Sequence, residues 1–333
     1  MKHIKLTNLI AATHTPFNLD GSLRLSVVER QAEYLLQQEL TTAFIGGSTG
    51  ESHSLNIEER RQLALRWSEV ARGTPLKVVV HVGSNCLADA KELAAQAAEL
   101  KAFAISALAP SYFKLRTLAD LVEWCSEIAF AAPETPFYFY DIPALTNAVF
   151  SMPAFLAQAA GSIPTLNGIK FTNHDLMAYQ LCLRAEDGAF DIPWGTDESL
   201  VAALALGAAG AVGSSYNFAA PIYHRLLANF EQGDLEAARR EQLRSVELIK
   251  LLDGYGYLGA AKAVMTMLDV DVGPARLPNA NPTKNQIARL REELEELGFF
   301  NWIEAAPAAR QKLPPMADIP DQTQIYLRPS EKW

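Results

Sequence analysis

Cysteine is scarce in this chain: Cys86, Cys125 and Cys182 are the only three among 333 residues. Odd in number, widely separated and without paired ligand spacing, they exclude a disulfide framework and a cysteine zinc site, and they fit the reducing cytoplasm. Basic charge is also in deficit, with 29 Lys plus Arg against 38 Asp plus Glu and a net charge of -9. No cluster of Lys and Arg is present to neutralise phosphates, so nucleic acid is not an expected partner. No run approaches the roughly 18 apolar residues of a membrane helix, and the opening MKHIKLTNLIAATHTPF is too polar for a signal segment. Neither HxH nor HExxH spacing occurs, so the usual sequence signal of a metal site is missing.

What the sequence does contain is an alternation. Short apolar or β-branched runs stand at 9–13 (LIAAT), 42–47 (TAFIGG), 77–82 (KVVVHV), 103–108 (FAISAL) and 136–140 (PFYFY), each the length of a buried strand. Weaker, glycine-containing runs follow at 166–170 (LNGIK), 191–195 (DIPWG) and 209–214 (AGAVGS), making eight. The stretches between them carry apolar residues at three- and four-residue spacing. In 56–72, for example, Ile57, Leu63, Ala64 and Trp67 share a helical face, and Asn56 with Glu59 predicts a capping box.

Apolar strands imply burial on both faces, and strict strand-helix alternation over 9–230 implies parallel pairing with right-handed crossovers. The expected fold is therefore α/β, a (β/α)8 TIM barrel over residues 1–230, with an open doubly wound sheet as the alternative. Helical patterns at 234–252, 257–269 and 283–297 then predict a C-terminal helical appendage over 231–304. Residues 305–333, with Pro307, Pro314, Pro315, Pro320 and Pro329, read as an extended Pro-rich tail.

In such a barrel the chemistry belongs where strands end and βα loops begin. Gly46 to Glu51 offers main-chain amides and the hydroxyls of Ser48 and Thr49, suited to an anionic oxygen, although a plain tight turn explains it as well. Lys170 closes a buried strand, where desolvation favours the neutral, nucleophilic amine; the alternative is a lysine paired with a carboxylate. Tyr140 ends the preceding strand at the same expected height, so an amine and a phenol converge unless Tyr140 is simply a core residue. An amine, a phenol and an anion-holding loop are what Schiff-base chemistry on a 2-oxo acid needs. The competing metal reading, through His53, His81, Asp197 and Glu198, lacks spacing; His14, His53 and His81 read as structural, and N-capping explains Asp197 as well as ligation does.

Read in order, GGSTGE, YDIPALT, GIKFT, GTDE and GAVGSSYN resemble the motifs of the N-acetylneuraminate lyase and dihydrodipicolinate synthase family of lysine-dependent pyruvate aldolases, across roughly residues 6–300. HVG at 81–83, IPALT at 142–146 and GSSYN at 213–217 look most like the sialic acid lyase branch. The resemblance implies that Lys170 is the Schiff-base lysine, that Tyr140 transfers the proton, and that Ser48 and Thr49 hold the pyruvate carboxylate. It further implies that Thr172, Gly195, Asp197, Glu198, Gly213 and Ser214 border the sugar. Thr49 and Tyr112, the latter lent by a neighbouring subunit, would complete a proton relay in a homotetramer built as a dimer of dimers.

The implied reaction is cleavage of N-acetylneuraminate to N-acetylmannosamine and pyruvate, without metal or organic cofactor, on a 2-oxo acid carrying an amino sugar. A 2-keto-3-deoxy sugar acid aldolase, a dihydrodipicolinate synthase-like enzyme and a non-catalytic effector-binding barrel are the alternatives. Departures from the family pattern accompany the match. Ala144, Leu145 and Thr146 stand where the synthases carry an arginine for a second carboxylate, Asp141 replaces the more usual Asn, and Ser111 replaces an aromatic residue. The segment after 305 is longer than the family norm.

Overall fold

The structure is a computed structural model that describes residues 4–304. The extended tail expected for 305–333 lies outside the described residues. Seven parallel strands occur in the order β1 (Asn8–Ala12), β2 (Thr42–Ile45), β3 (Lys77–His81), β4 (Ala104–Leu108), β5 (Phe137–Asp141), β6 (Leu166–Phe171) and β7 (Gly210–Gly213). Each pairs with its sequence neighbour through β6, and β1 pairs with β7, so the sheet curls into a barrel and the open doubly wound alternative falls away.

The gap between β6 and β7 is filled by residues 191–195, expected as a strand but present as isolated bridges at Asp191 and Trp194. Pro193 has no N–H to give to a ladder, which breaks the regular pattern. Main-chain bonds still cross the gap: Phe171 N donates to Pro193 O at 2.9 Å, and Val212 N to Trp194 O at 2.7 Å. Eight positions therefore close the barrel, one of them irregular.

Around the strands run α1 (Val27–Gln37), α2 (Ile57–Ala71), α3 (Leu87–Glu99), α4 (Leu118–Phe130), the single turn α5 (Pro143–Thr146), α6 (Met152–Ala159), α7 (Leu176–Arg184), α8 (Leu200–Leu206) and α9 (Tyr216–Glu231). The capping box expected at Asn56 and Glu59 is formed, and Thr117 with Asp120 makes another at the start of α4. These caps satisfy main-chain N–H groups that the first helical turn leaves without partners.

Two cores explain why the strand sequences are apolar throughout. On β4, Ile105 and Ala107 face the helices while Ala104 and Leu108 face the barrel interior with Ile10, Phe44, Val79 and Tyr140. Period-two alternation thus buries both faces. Below the barrel, Asp191 accepts from Leu6 N at 2.7 Å and from the Tyr138 hydroxyl at 2.7 Å, tying the N-terminal segment across the strand starts.

After α9 the chain is helical: α10 (Leu235–Asp253), α11 (Tyr257–Met267), α12 (Lys284–Leu297) and α13 (Phe299–Ile303). Among the described residues no helix is long and apolar enough to cross a membrane.

Candidate active site

The C-terminal ends of the strands open into a cleft of about 480 Å³, and Thr49, Tyr140, Lys170, Thr172, Gly195, Asp197, Glu198 and Ser214 all line it. Tyr140 and Lys170 come from the ends of β5 and β6, and the others from the loops after β2, β6, the irregular seventh position and β7. The barrel register produces this convergence, since residues far apart in sequence meet wherever strands end at one height.

Tyr140 and Lys170 are direct register partners on β5 and β6. Lys170 is 4% exposed, and its Nζ stands 3.7 Å from the centroid of the Tyr140 ring and 4.4 Å from that of Phe44. Among the described residues no carboxylate oxygen lies within 4.0 Å of it. A buried lysine that does meet a carboxylate is Lys262, on α11, whose Nζ lies 2.9 Å from Glu51 Oε1 with both side chains buried. Sequence reading did not single out Lys262.

The loop from Gly46 to Glu51 reaches the same point. Ser48 Oγ lies 3.3 Å from the Tyr140 hydroxyl, so the hydroxyl that meets the phenol is Ser48's, while Thr49 lines the cleft beside it. Glu51, at a φ of 56°, turns down to its ion pair and accepts from Arg276 N at 2.7 Å. The ends of the turn are fixed, Thr49 lines the cavity, and Ser48 Oγ faces the Tyr140 hydroxyl.

On the opposite side, the adjacent acids Asp197 and Glu198 point different ways. Asp197 is buried, with Oδ2 accepting from Ser215 N at 2.9 Å and Ser215 Oγ at 2.5 Å. Ser215 Oγ continues to the Tyr223 hydroxyl at 2.5 Å. Burial pushes the Asp197 carboxyl up to about 6, against the hydrogen bonds from Ser215. Its side chain does not cap the short turn that it opens, and instead meets Ser215 N at the start of α9. Glu198 is exposed at the cleft wall.

The two glycines singled out nearby serve this arrangement by their lack of a side chain. A Cβ on Gly213 would overlap the Asp197 carboxylate, and one on Gly195 would overlap Thr172 Oγ1. Thr172 Oγ1 is buried and has no hydrogen-bond partner among the described residues.

Tyr112 is the exception among the expected residues. It is 77% exposed beside Phe113, and it does not line the cleft of its own chain. The loop presenting it is ordered by Asn85 Oδ1, which accepts from Ser111 N at 2.7 Å and Tyr112 N at 3.1 Å.

Several cleft residues escaped the sequence reading. Ile249, Asp253 and Tyr257 enter from α10 and α11, and the Tyr257 hydroxyl lies 2.7 Å from Ser214 Oγ. Nothing in their local pattern marks them, since they sit in an ordinary amphipathic stretch and at a helix start. Asn173 and His174 border the rim after β6, where Asn173 Nδ2 donates to Asp141 Oδ2 at 3.0 Å. No arginine is among the described residues lining the cleft. Among the described residues no group of three His, Cys, Asp or Glu side chains is placed to hold a metal ion.

With this geometry in hand, comparison with known proteins is specific. Residues 5–297 match the Dihydrodipicolinate synthetase family. The N-acetylneuraminate lyase A of Xenopus laevis is 40% identical over 277 residues, covering 82% of this chain and 90% of that protein. Among solved structures, the N-acetylneuraminate lyase of Proteus mirabilis superposes with a TM-score of 0.86 at 38% identity, covering 89% of this chain and 100% of the other. The sialic acid aldolase of Aliivibrio salmonicida gives the same TM-score, 0.86, at 38% identity, with 89% and 98% covered.

Proposed function

Because this chain belongs to the dihydrodipicolinate synthetase family, we propose that it is a class I carbon-carbon lyase that cleaves N-acetylneuraminate to N-acetylmannosamine and pyruvate. The observation that carries this reading is the pairing of an unpartnered buried amine with a phenol, Lys170 beside Tyr140, at the floor of a cleft whose far wall is acidic and hydroxyl-rich. The similarity to sialic acid lyases over most of both chains supports the same substrate.

In the proposed reaction Lys170 Nζ adds to the 2-oxo carbon of the open-chain sugar acid, and water leaves to give an iminium. The Tyr140 phenolate, left when the phenol gives its proton to the departing water, takes the proton of the C4 hydroxyl, the C3–C4 bond breaks, and its electron pair moves into the enamine. N-acetylmannosamine departs as the aldehyde. Protonation of the enamine at C3 and addition of water then release pyruvate and free the lysine. Ser48 and Thr49 hold the carboxylate, and Ser48, 3.3 Å from the Tyr140 hydroxyl, also joins the proton path.

Thr172, Asp197, Glu198 and Ser214 bind the hydroxyls of the sugar, with Gly195 and Gly213 leaving room for them. No organic cofactor enters any step. Tyr112, exposed on its own chain, belongs to the relay of a neighbouring subunit in a homotetramer. The three unpaired cysteines support a cytoplasmic setting.

Two measurements test the reading. N-acetylneuraminate should release pyruvate, and borohydride with pyruvate should leave a reduced adduct on Lys170 that is lost in Lys170→Ala. Labelling at another lysine would overturn the assignment. An adduct on Lys170 with turnover only of 2-keto-3-deoxy sugar acids would keep the chemistry and change the substrate.

A further inference from the structure

Behind Tyr140 lies a buried constellation that the steps above do not use. Arg60, on α2, is 8% exposed, yet its guanidinium meets main-chain carbonyls rather than a carboxylate: Nη1 donates to Gly83 O at 2.8 Å and Nη2 to His81 O at 2.8 Å. These bonds fix the end of β3 and the turn that follows it. His81 itself is 1% exposed, and its ring points into the barrel, edge-to-face with Tyr140 at 5.9 Å between centroids and tilted against Phe44 at 6.3 Å.

The tautomer of this histidine follows from its partner. Nδ1 lies 2.9 Å from Gly46 O. A carbonyl oxygen only accepts, so Nδ1 carries the proton. Burial, followed by the charge of Arg60, holds the ring well below the usual histidine range and hence neutral, which leaves Nε2 bare. Nε2 is buried, with no hydrogen-bond partner among the described residues.

Gly46 opens the Ser48–Thr49 loop at a φ of 63°. The other end of that loop is anchored separately, by the Glu51 ion pair with Lys262 and by Thr15 Oγ1 donating to Gly50 O at 2.6 Å. His81 is therefore the side-chain anchor at the start of the loop, and the same ring forms part of the wall of Tyr140.

We propose that His81 is a positioning residue for the 2-oxo acid: its Nδ1–H fixes Gly46 while its ring faces Tyr140, so one side chain sets the spacing between the anion-holding hydroxyls and the phenol. The inference rests on the pyruvate-handling reading above and adds a residue to it. Two properties of His81 do separate work, and substitution can separate them. His81→Phe keeps a ring against Tyr140 and removes the donor. His81→Asn keeps a donor at the δ position and removes the ring.

The test measures the pyruvate concentration for half-maximal borohydride trapping on Lys170, together with kcat for N-acetylneuraminate. Loss of a buried hydrogen bond to Gly46 should raise the half-saturation of His81→Phe by about 10-fold. His81→Asn should hold it within about threefold of the parent while kcat falls, because the Tyr140 wall has lost its ring. A merely structural histidine would not produce this crossed pattern. Unchanged half-saturation in His81→Phe, or equal weakening in both variants, overturns the proposal. Should His81→Phe fail to fold, His81→Gln, whose amide reaches the ε position, replaces it, and equal half-saturation for Asn and Gln overturns the proposal. Absence of any adduct in the unsubstituted protein overturns the lyase reading and this inference with it, an outcome distinct from an adduct whose half-saturation ignores residue 81.

Discussion

Lys262 and Lys170 are both buried, 1% and 4% exposed, but only Lys262 has a carboxylate partner. A buried ammonium paired with Glu51 is held in place, whereas Lys170, over two aromatic faces and open to the cleft, is available to a carbonyl carbon. The sugar side offers a sharper test of substrate. Glu198 is exposed to the cleft and has no part in holding the lysine, so Glu198→Ala should lower turnover of N-acetylneuraminate roughly 10- to 100-fold through its unpaired substrate hydroxyls. Pyruvate trapping on Lys170 should stay near the parent level; its loss would show that Glu198 supports the amine. Asp141 gives a prediction in pH. Burial pushes its carboxyl up to about 6, against the Asn173 hydrogen bond. A raised pKa means that the folded state holds its proton more tightly than the unfolded chain, so this contribution to stability is present below about pH 4 and lost as pH rises through about 6. Asp141→Asn cannot ionise. Its stability relative to the parent should therefore climb between about pH 4 and pH 7, by about 3 kcal/mol at most, in urea titrations at each pH. A constant difference across that range would refute the assignment.

At the scale of elements, local signals and tertiary contacts reinforce each other most clearly in α2. Its capping box joins Asn56 to Glu59, and the same Glu59 carboxylate pairs with Arg276, which reaches it from beyond α11. The helix face that packs inward carries Leu63, Ala64 and Trp67, and Arg60 from the same face holds the end of β3. Removing the cap by Asn56→Ala should cost about 1 kcal/mol. Urea unfolding should then show a lower midpoint with an unchanged slope, since little buried surface is altered. A changed slope would mean that the cap also sets how compact the folded or unfolded state is. The irregular seventh position shows the reverse case, in which one residue, Pro193, prevents a ladder that the surrounding barrel still closes through Asp191 and Trp194.

For the whole molecule, the cleft is a joint product of the barrel mouth and the C-terminal helices, which contribute Ile249, Asp253 and Tyr257. Tyr112 and Phe113 are exposed, on a loop held by Asn85. If Tyr112 serves a neighbour's site, the variants Tyr112→Phe and Lys170→Ala should complement. Each is expected to be weakly active or inactive by itself, whereas subunits mixed by partial dissociation and reassociation should regain measurable N-acetylneuraminate cleavage, since the Lys170→Ala subunit lends its intact Tyr112 to the partner's intact lysine. Failure to regain activity in demonstrably mixed assemblies would confine Tyr112 to a surface role.

The sequence by itself determined the alternation of buried parallel strands with helices, because burial on both faces writes continuous apolar runs at nearly every strand and the helices between them repeat at three and four residues, while closure into a barrel was decided by the pairing of β1 with β7. It also determined that Lys170 and Tyr140 share a height, since adjacent parallel strands ending in polar residues leave little freedom of register, and the two are partners in the ladder. Tertiary structure alone decided that Ser48 meets the Tyr140 hydroxyl, that His81 donates to Gly46, and that Tyr257 crosses 43 residues to meet Ser214. Periodicity records which face of an element is buried. It carries no record of which loop atom a side chain reaches once the barrel has closed, because those contacts join segments whose spacing is set by strand register and loop path rather than by their own residues.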